Sequence, residues 1–414
     1  MGYPKKIKAI KVKQPFGDFY VCSLSAKDII DLSFSDPLRY DENKNLKGSQ
    51  RKLDEKGRVK SITSYINGND TAFPNSIIVS ANYNKKGLIE ENEDLTWKFS
   101  PLEGNDIYEI TIPTSTKLAA IIDGQHRVNG FKKASIQRQE EMELLVAIYF
   151  DLPNPYQAYL FATINYNQKP VDKSLALEQF GYFTEITESY TWSPELLAVH
   201  LSKKLNIENG SPFFNHIKVA PQNDDFLLST NPKEIDWVVS TATIVDGVLK
   251  LISTNPKEDS NELRRLDEKD RNRNQIKRKD TTPLRNFYLK NNDLFIYKII
   301  FNFFKVIENE LFKPAIGKTS YIKKTIGIQA LFVVLKEILN MNLETDKNIS
   351  QDYYKSYINK FKNVDFSDNF YTASGIGKSR IQNTILLSLG LKTFDQIKNK
   401  DHISEYKRLL NINE

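Results

Sequence analysis

The stretch that most constrains this chain runs from Lys117 to Phe131 and reads Lys117-Leu118-Ala119-Ala120-Ile121-Ile122-Asp123-Gly124-Gln125-His126-Arg127-Val128-Asn129-Gly130-Phe131. Its first part, through Ile122, is short, apolar and β-branched at its end, which predicts a buried strand. Val128, Phe131, Ala134 and Ile136 then recur at roughly helical spacing. The stretch therefore predicts strand, tight polar turn, helix. A turn of that kind sets polar side chains beside a helix N-terminus, where unpaired N–H groups and the helix dipole suit an anion. Gly124 allows close backbone approach or a positive φ. Arg127 offers a planar fork of donors matched to phosphate. Asp123 has three open roles: helix cap, partner that orients Arg127, or ligand of a metal or water. The plain alternative is a capped helix with Gln125, His126 and Arg127 as its solvated first turn.

The neighbourhood adds weight to the turn. Glu143 to Asp151 predicts a second strand, Tyr156 to Ile164 a short amphipathic helix, and Asn165-Tyr166-Asn167-Gln168-Lys169-Pro170 a polar end. On these residues the chain resembles the DGQHR-domain family, whose members include DndB, the control protein of DNA phosphorothioation. More distantly it is similar to the ParB/sulfiredoxin-like superfamily and to DUF262-type restriction proteins. Gln50-Arg51 ahead of a helix, Phe73-Pro74-Asn75-Ser76-Ile77-Ile78-Val79 leading into a strand, and Phe161-x-x-Ile164-Asn165 agree in order. The resemblance covers roughly residues 10–180 well, and the C-terminal half only loosely, through Thr325-Ile326-Gly327-Ile328-Gln329-Ala330-Leu331. It implies a ParB-like first domain. It also implies a site at Asp123, Gln125, His126 and Arg127, with Gly124, Arg127, Arg51 and Asn165 around a phosphate or nucleotide.

The chain has 414 residues, enough for two domains. Hydrophobic residues make up 40% and the net charge is only +6, so any nucleic-acid surface must be local. The single cysteine, Cys22, excludes an internal disulfide and fits a reducing cytoplasm. No apolar run reaches the length of a membrane span, and the N-terminus lacks the form of a signal peptide.

Patterning divides the chain. Residues 1–172 mix strands and helices, predicting an α/β or α+β domain. The expected elements include strands over Lys5–Lys13, Phe16–Leu24, Ile77–Ala81 and Asp106–Ile112, and a short helix after Ser25. Residues 173–414 predict an all-α domain, with long apolar-periodic segments at 235–252, 294–311 and 320–339 and a helix opening at Ser193-Pro194-Glu195.

Residues 255–282 break that pattern. Between Arg264 and Lys279 eight basic residues (Arg264, Arg265, Lys269, Arg271, Arg273, Lys277, Arg278, Lys279) stand against three acids. The plain expectation is a solvated, mobile linker. The functional one is contact with DNA phosphates, weakened in proportion by salt. In that reading, neutralising Arg271, Arg273, Lys277 and Arg278 together flattens the salt dependence of DNA binding. Ala373 to Ser379 imitates a P-loop but has Thr372 where the first glycine belongs. It predicts instead a glycine turn before a helix at Ile381, with Lys378 and Arg380 near phosphate.

No zinc-type spacing exists among the four histidines and the cysteine, and neither zinc nor haem is expected. Asp123 can help hold Mg²⁺ together with substrate phosphates. Three functions follow for a cytoplasmic, DNA-associated protein of a DNA-modification or phage-defence system, with DNA and other proteins of that system as partners. The first is a nucleotide-binding switch, with nucleoside triphosphate hydrolysis at the turn. The second, which the resemblance to DndB implies, is a non-catalytic DNA-binding transcriptional regulator. The third is a ParB-like DNA nuclease.

Overall fold

The computed structural model describes residues 2–35, 39–40, 46–47, 54–102, 106–166, 172–181, 183–218, 236–315, 319–341, 343 and 350–412. The chain divides into two compact units, Met1–Pro170 and Val171–Glu414.

In the first unit the strands are β1 (Lys5–Val12), β2 (Phe19–Ser25), β3 (Ser33–Phe34), β4 (Arg39–Tyr40), β5 (Leu46–Lys47), β6 (Ile77–Ala81), β7 (Lys98–Pro101), β8 (Ile107–Ile112), β9 (Ala119–Asp123) and β10 (Glu143–Phe150). Eight form one sheet in the order β3-β9-β6-β10-β2-β1-β8-β7, and β4 pairs with β5 apart from it. Most neighbours are antiparallel, but β3 runs parallel to β9 and β6 parallel to β10. Parallel neighbours need a long crossover. The one from β6 to β10 contains β9 and the helices α3 (Gln125–Lys132) and α4 (Ile136–Glu141). The polar turn therefore sits inside the crossover.

The centre of the sheet is apolar on both faces, and its edge is not. β9 is buried at its first four positions, whereas every residue of β7 is exposed. A lysine and a proline in that edge strand discourage pairing with another chain.

Helices α1 (Ala26–Leu32) and α2 (Lys60–Ile66) pack with α3. Ser25 caps α1 by accepting from the Asp28 amide. Ile29, Ile66, Val128 and Phe131 join one core with the sheet, and burying a side chain of that size contributes about 1.5–3 kcal/mol. α2 and α3 approach closely at Gly130, where a Cβ would lie 2.5 Å from Ile62 Cγ2. Cys22 is buried in β2, and burial pushes its thiol up to about 12. It behaves as a small hydrophobe.

In the second unit the long helices are α8 (Pro194–Ile207), α9 (Thr241–Ile252), α12 (Asp293–Ile307), α13 (Thr325–Met341) and α15 (Gly375–Ser388). α13 packs against both α9 and α15. Its Phe332 meets Gly247 of α9, where a Cβ would stand 2.2 Å from the ring. The shorter helices are α6 (Lys173–Phe180), α7 (Phe183–Ile186), α10 (Pro256–Arg264), α11 (Arg285–Leu289), α14 (Gln351–Ile358) and α16 (Ile403–Leu409). The all-α expectation needs one correction, because β11 (Ile217–Lys218) and β12 (Val239–Ser240) form a small parallel pair.

The segment 255–282 also departs from expectation. It is not a solvated linker but part of the packed unit. α10 opens on Asn255 as N-cap and Pro256 in the first turn, and buries Asp259, Ser260, Asn261 and Leu263. Ile276 and Leu284 enter the main core. The glycines before Ile381 do not form a separate turn either. They lie in the first turn of α15, capped by Ser374. Gly377 is required by packing, since a Cβ would lie 1.7 Å from the Thr372 carbonyl oxygen.

Candidate functional site

β9 ends at Asp123, opposite Ile78 of β6. The register slips between Ile78 and Val79, which adds one residue to β9 just ahead of the turn. A bulge of this kind re-aims the residues that follow it. Gly124 is the N-cap of α3 and takes φ +100°. A Cβ there would lie 2.5 Å from Ile77 Cδ1 and 3.2 Å from Arg127 Nη2. Only glycine meets both demands.

Arg127 returns from the first turn of α3 to close the loop. Its Nη1 donates to the Asn75 carbonyl at 2.6 Å, and its Nη2 to the Ser76 carbonyl at 3.0 Å and Asp123 Oδ2 at 2.9 Å. The Arg127 and Asp123 side chains are 17% and 29% exposed. Burial draws the guanidinium below its ordinary value, and the Asp123 charge opposes that pull. Asp123 thus takes the second of its three open roles, as the partner of Arg127. The pair bolts the end of β9 to the segment leading into β6.

Three more side chains gather beside the pair. Asp54 accepts from the Gly57 amide at 2.9 Å and the Arg58 amide at 3.1 Å, capping the turn that leads into α2. Those two bonds hold its carboxyl below the ordinary range, with the His126 charge contributing less. Arg58 is close enough for its charge to act on Arg127. His126 is half-buried, while Gln125 is only 4% exposed. Asn165, in α5 (Asn154–Tyr166), donates to the Phe161 carbonyl of its own helix at 2.8 Å. Arg51 lies outside the described residues, as do Gln50 and Gln168-Lys169-Pro170.

Asp54 and Arg58 were not singled out from the sequence. The available signal was Asp54-x-x-Gly57, an aspartate three residues before a glycine at a helix opening. It is easily lost in the charged run around it.

Asp123, the residue expected to help hold magnesium, bonds Arg127 through its Oδ2. Among the described residues no group of three or more His, Cys, Asp or Glu has a metal-binding arrangement.

The basic residues of 264–279 divide into two sets. Arg273 is fully buried and grips Asp293 with both terminal nitrogens, at 2.7 and 2.8 Å, with its guanidinium over the Tyr288 ring. Arg278 binds Asp259 at 2.7 Å and Asp280 at 2.5 Å, and Arg285 binds the same Asp259 at 2.6 and 2.9 Å. Burial disfavours ionisation of Asp259, but hydrogen bonds from Arg278, Arg285 and Ser253 outweigh it and hold the carboxyl below its ordinary range. Arg273 and Arg278 therefore do not present themselves to a phosphate. Arg265, Lys269, Lys277 and Lys279 are exposed, and Arg264 and Arg271 half-buried. Arg380 donates to the Phe370 carbonyl at 2.8 Å and meets His402 Nε2 at 2.9 Å, so it too is held internally. Lys378 lines a cavity in the second unit.

Residues 7–208 match the family model DndB, described as DNA-sulfur modification-associated. The match supports a DndB-like family and an association with DNA modification. It includes the whole Asp123 turn and ends just past α8, short of the 255–282 segment. No curated protein and no solved structure matches the chain. Among the described residues no helix is long and apolar enough to cross a membrane.

Proposed function

We propose that this protein is a non-catalytic DNA-binding regulator that works with a DNA-sulfur modification system. One observation carries the choice. Arg127, the cation that would hold a transferring phosphate at the turn, is turned inward onto two backbone carbonyls and Asp123. A phosphoryl-transfer site needs its cations and its water-positioning groups directed at the substrate. Here Arg127 ties the end of β9 to the segment leading into β6, and Gln125 is packed inside. The turn is a joint, and the ParB-like architecture belongs to the same reading. Other proteins of the modification system are its natural partners.

The DNA phosphates are met by the outward set of the basic segment. Replacing Arg265, Lys269, Lys277 and Lys279 together by Gln leaves the buried ion pairs intact. The expected result is a shallower dependence of log affinity on log salt, by about 0.9 per lost phosphate contact. Fluorescence anisotropy on a labelled duplex over a salt series measures it. An unchanged slope in a folded variant would move the DNA-binding surface elsewhere.

A second reading is favoured by the companions of the turn. Arg58 and His126 lie beside the N-terminus of α3, and such an end attracts anions. A nucleotide bound there without hydrolysis would act as an effector of DNA binding.

A further inference from the structure

A cavity of about 480 Å³ opens in the second unit among α9, α13 and the first turn of α15. Each helix contributes one lysine to it: Lys250, Lys336 and Lys378. All three are half-buried, and among the described residues none of them makes an ion pair. The carboxylate lining the cavity, Asp246, is bonded by Lys173 at 2.7 and 2.9 Å. Burial first, then the charge of Lys378, lowers the Lys250 ammonium from its ordinary value.

Neutral side chains complete the lining. Thr282 stands in one wall and is 5% exposed. Gln329 borders the same space. The wall that carries Thr282 is held rigidly. Asp280 accepts from the Thr254 amide and hydroxyl, both at 2.7 Å, and from the Thr282 amide at 2.9 Å. Lys378 lies in the first turn of the fourteen-residue α15, the positive end of that helix.

Three half-desolvated cations facing one space repel each other. That repulsion does not favour the fold, and a bound polyanion would offset it. The volume lies within the roughly 300–1,000 Å³ of small-molecule pockets. We infer that this cavity binds a phosphate ester, with Lys250, Lys336 and Lys378 as ionic contacts and Gln329 as a neutral one. The inference does not rest on the regulator reading, and the site lies wholly beyond residue 208, where the family match ends. The ester is either the polyphosphate of a free nucleotide or the backbone of DNA.

Isothermal titration of the full chain with inorganic tripolyphosphate, with ATP and with a short duplex separates these sources. Lys250→Met with Lys336→Met should weaken whichever ligand binds by about tenfold or more, since charged hydrogen bonds are lost. The melting temperature without ligand should hold or rise as the repulsion is removed. Lys378→Gln provides an independent arm should Lys250→Met disturb the fold. Weakening confined to tripolyphosphate and ATP identifies a nucleotide, and weakening confined to the duplex identifies the DNA backbone. Unchanged affinity for all three ligands in folded lysine variants would overturn the assignment. So would tripolyphosphate binding that is lost in Asp123→Asn but kept in the lysine variants, which would locate the ligand at the turn.

Discussion

Asp259→Ala is expected to be the most damaging single substitution in the second unit, costing about 3–5 kcal/mol. Asp259 is fully buried and receives Arg285 through two bonds and Arg278 through two more. Arg285 is 4% exposed and finds no other carboxylate among the described residues. Removing Asp259 leaves that charge buried without a counter-ion, and the loss exceeds what forming the pair contributed. In a unit of this size the melting temperature should fall by roughly 6–20 °C. The pH dependence follows from the carboxylates. Asp259 and Asp280 are both held below the ordinary range, so their contribution is complete above about pH 4. It is lost as the pH falls through their folded-state values. Wild type should therefore lose stability on acidification below about pH 4, and Asp259→Ala should show less of that loss. A fall of under 2 °C at neutral pH would mean that the network is not a stabilising centre.

Gly124→Ala is the corresponding test in the first unit. The residue holds φ +100°, which costs a side-chain-bearing residue roughly 1–2 kcal/mol. The added methyl would also meet Ile77 Cδ1 at 2.5 Å, and Ile77 is 1% exposed with little room to move. Overpacking adds about 1–3 kcal/mol. The sum, about 2–5 kcal/mol, should lower the melting temperature by roughly 5–15 °C. Ile77→Val takes away the Cδ1 atom, so the double variant should recover the steric share and keep the backbone share. Full recovery would show that the left-handed conformation carries no cost.

Both predictions rest on residues whose partners are remote in sequence, and this limited what patterning could disclose. β6, β9 and β10 were legible because buried strands are β-branched and apolar. α1 and α8 were legible because Ser25 and Ser193-Pro194 are capping signals. β7 was not, since a wholly exposed edge strand shows no alternation. β3 has two residues and no pattern of its own. Charge counting misjudged 255–282 because a count does not reveal pairing. Arg273 and Arg285 look like surface cations until Asp293 and Asp259 are brought beside them by the fold. The Asp123 turn was found by its residue types, yet Arg127 could not be told from a phosphate ligand. The carbonyls it binds, of Asn75 and Ser76, are backbone groups that any residue would supply. Of the lysine cavity only Lys378 stood out, since Lys250 and Lys336 lie on separate helices that meet only in the folded unit.

Phosphate release distinguishes a joint at the Asp123 turn from a hydrolytic site. Wild type and Asp123→Asn, both shown to be folded, are incubated with ATP, GTP and CTP, with and without DNA. Neither protein should release phosphate above background, and duplex binding should persist in Asp123→Asn. Release by wild type that disappears in a folded Asp123→Asn would contradict this and make the turn an active site.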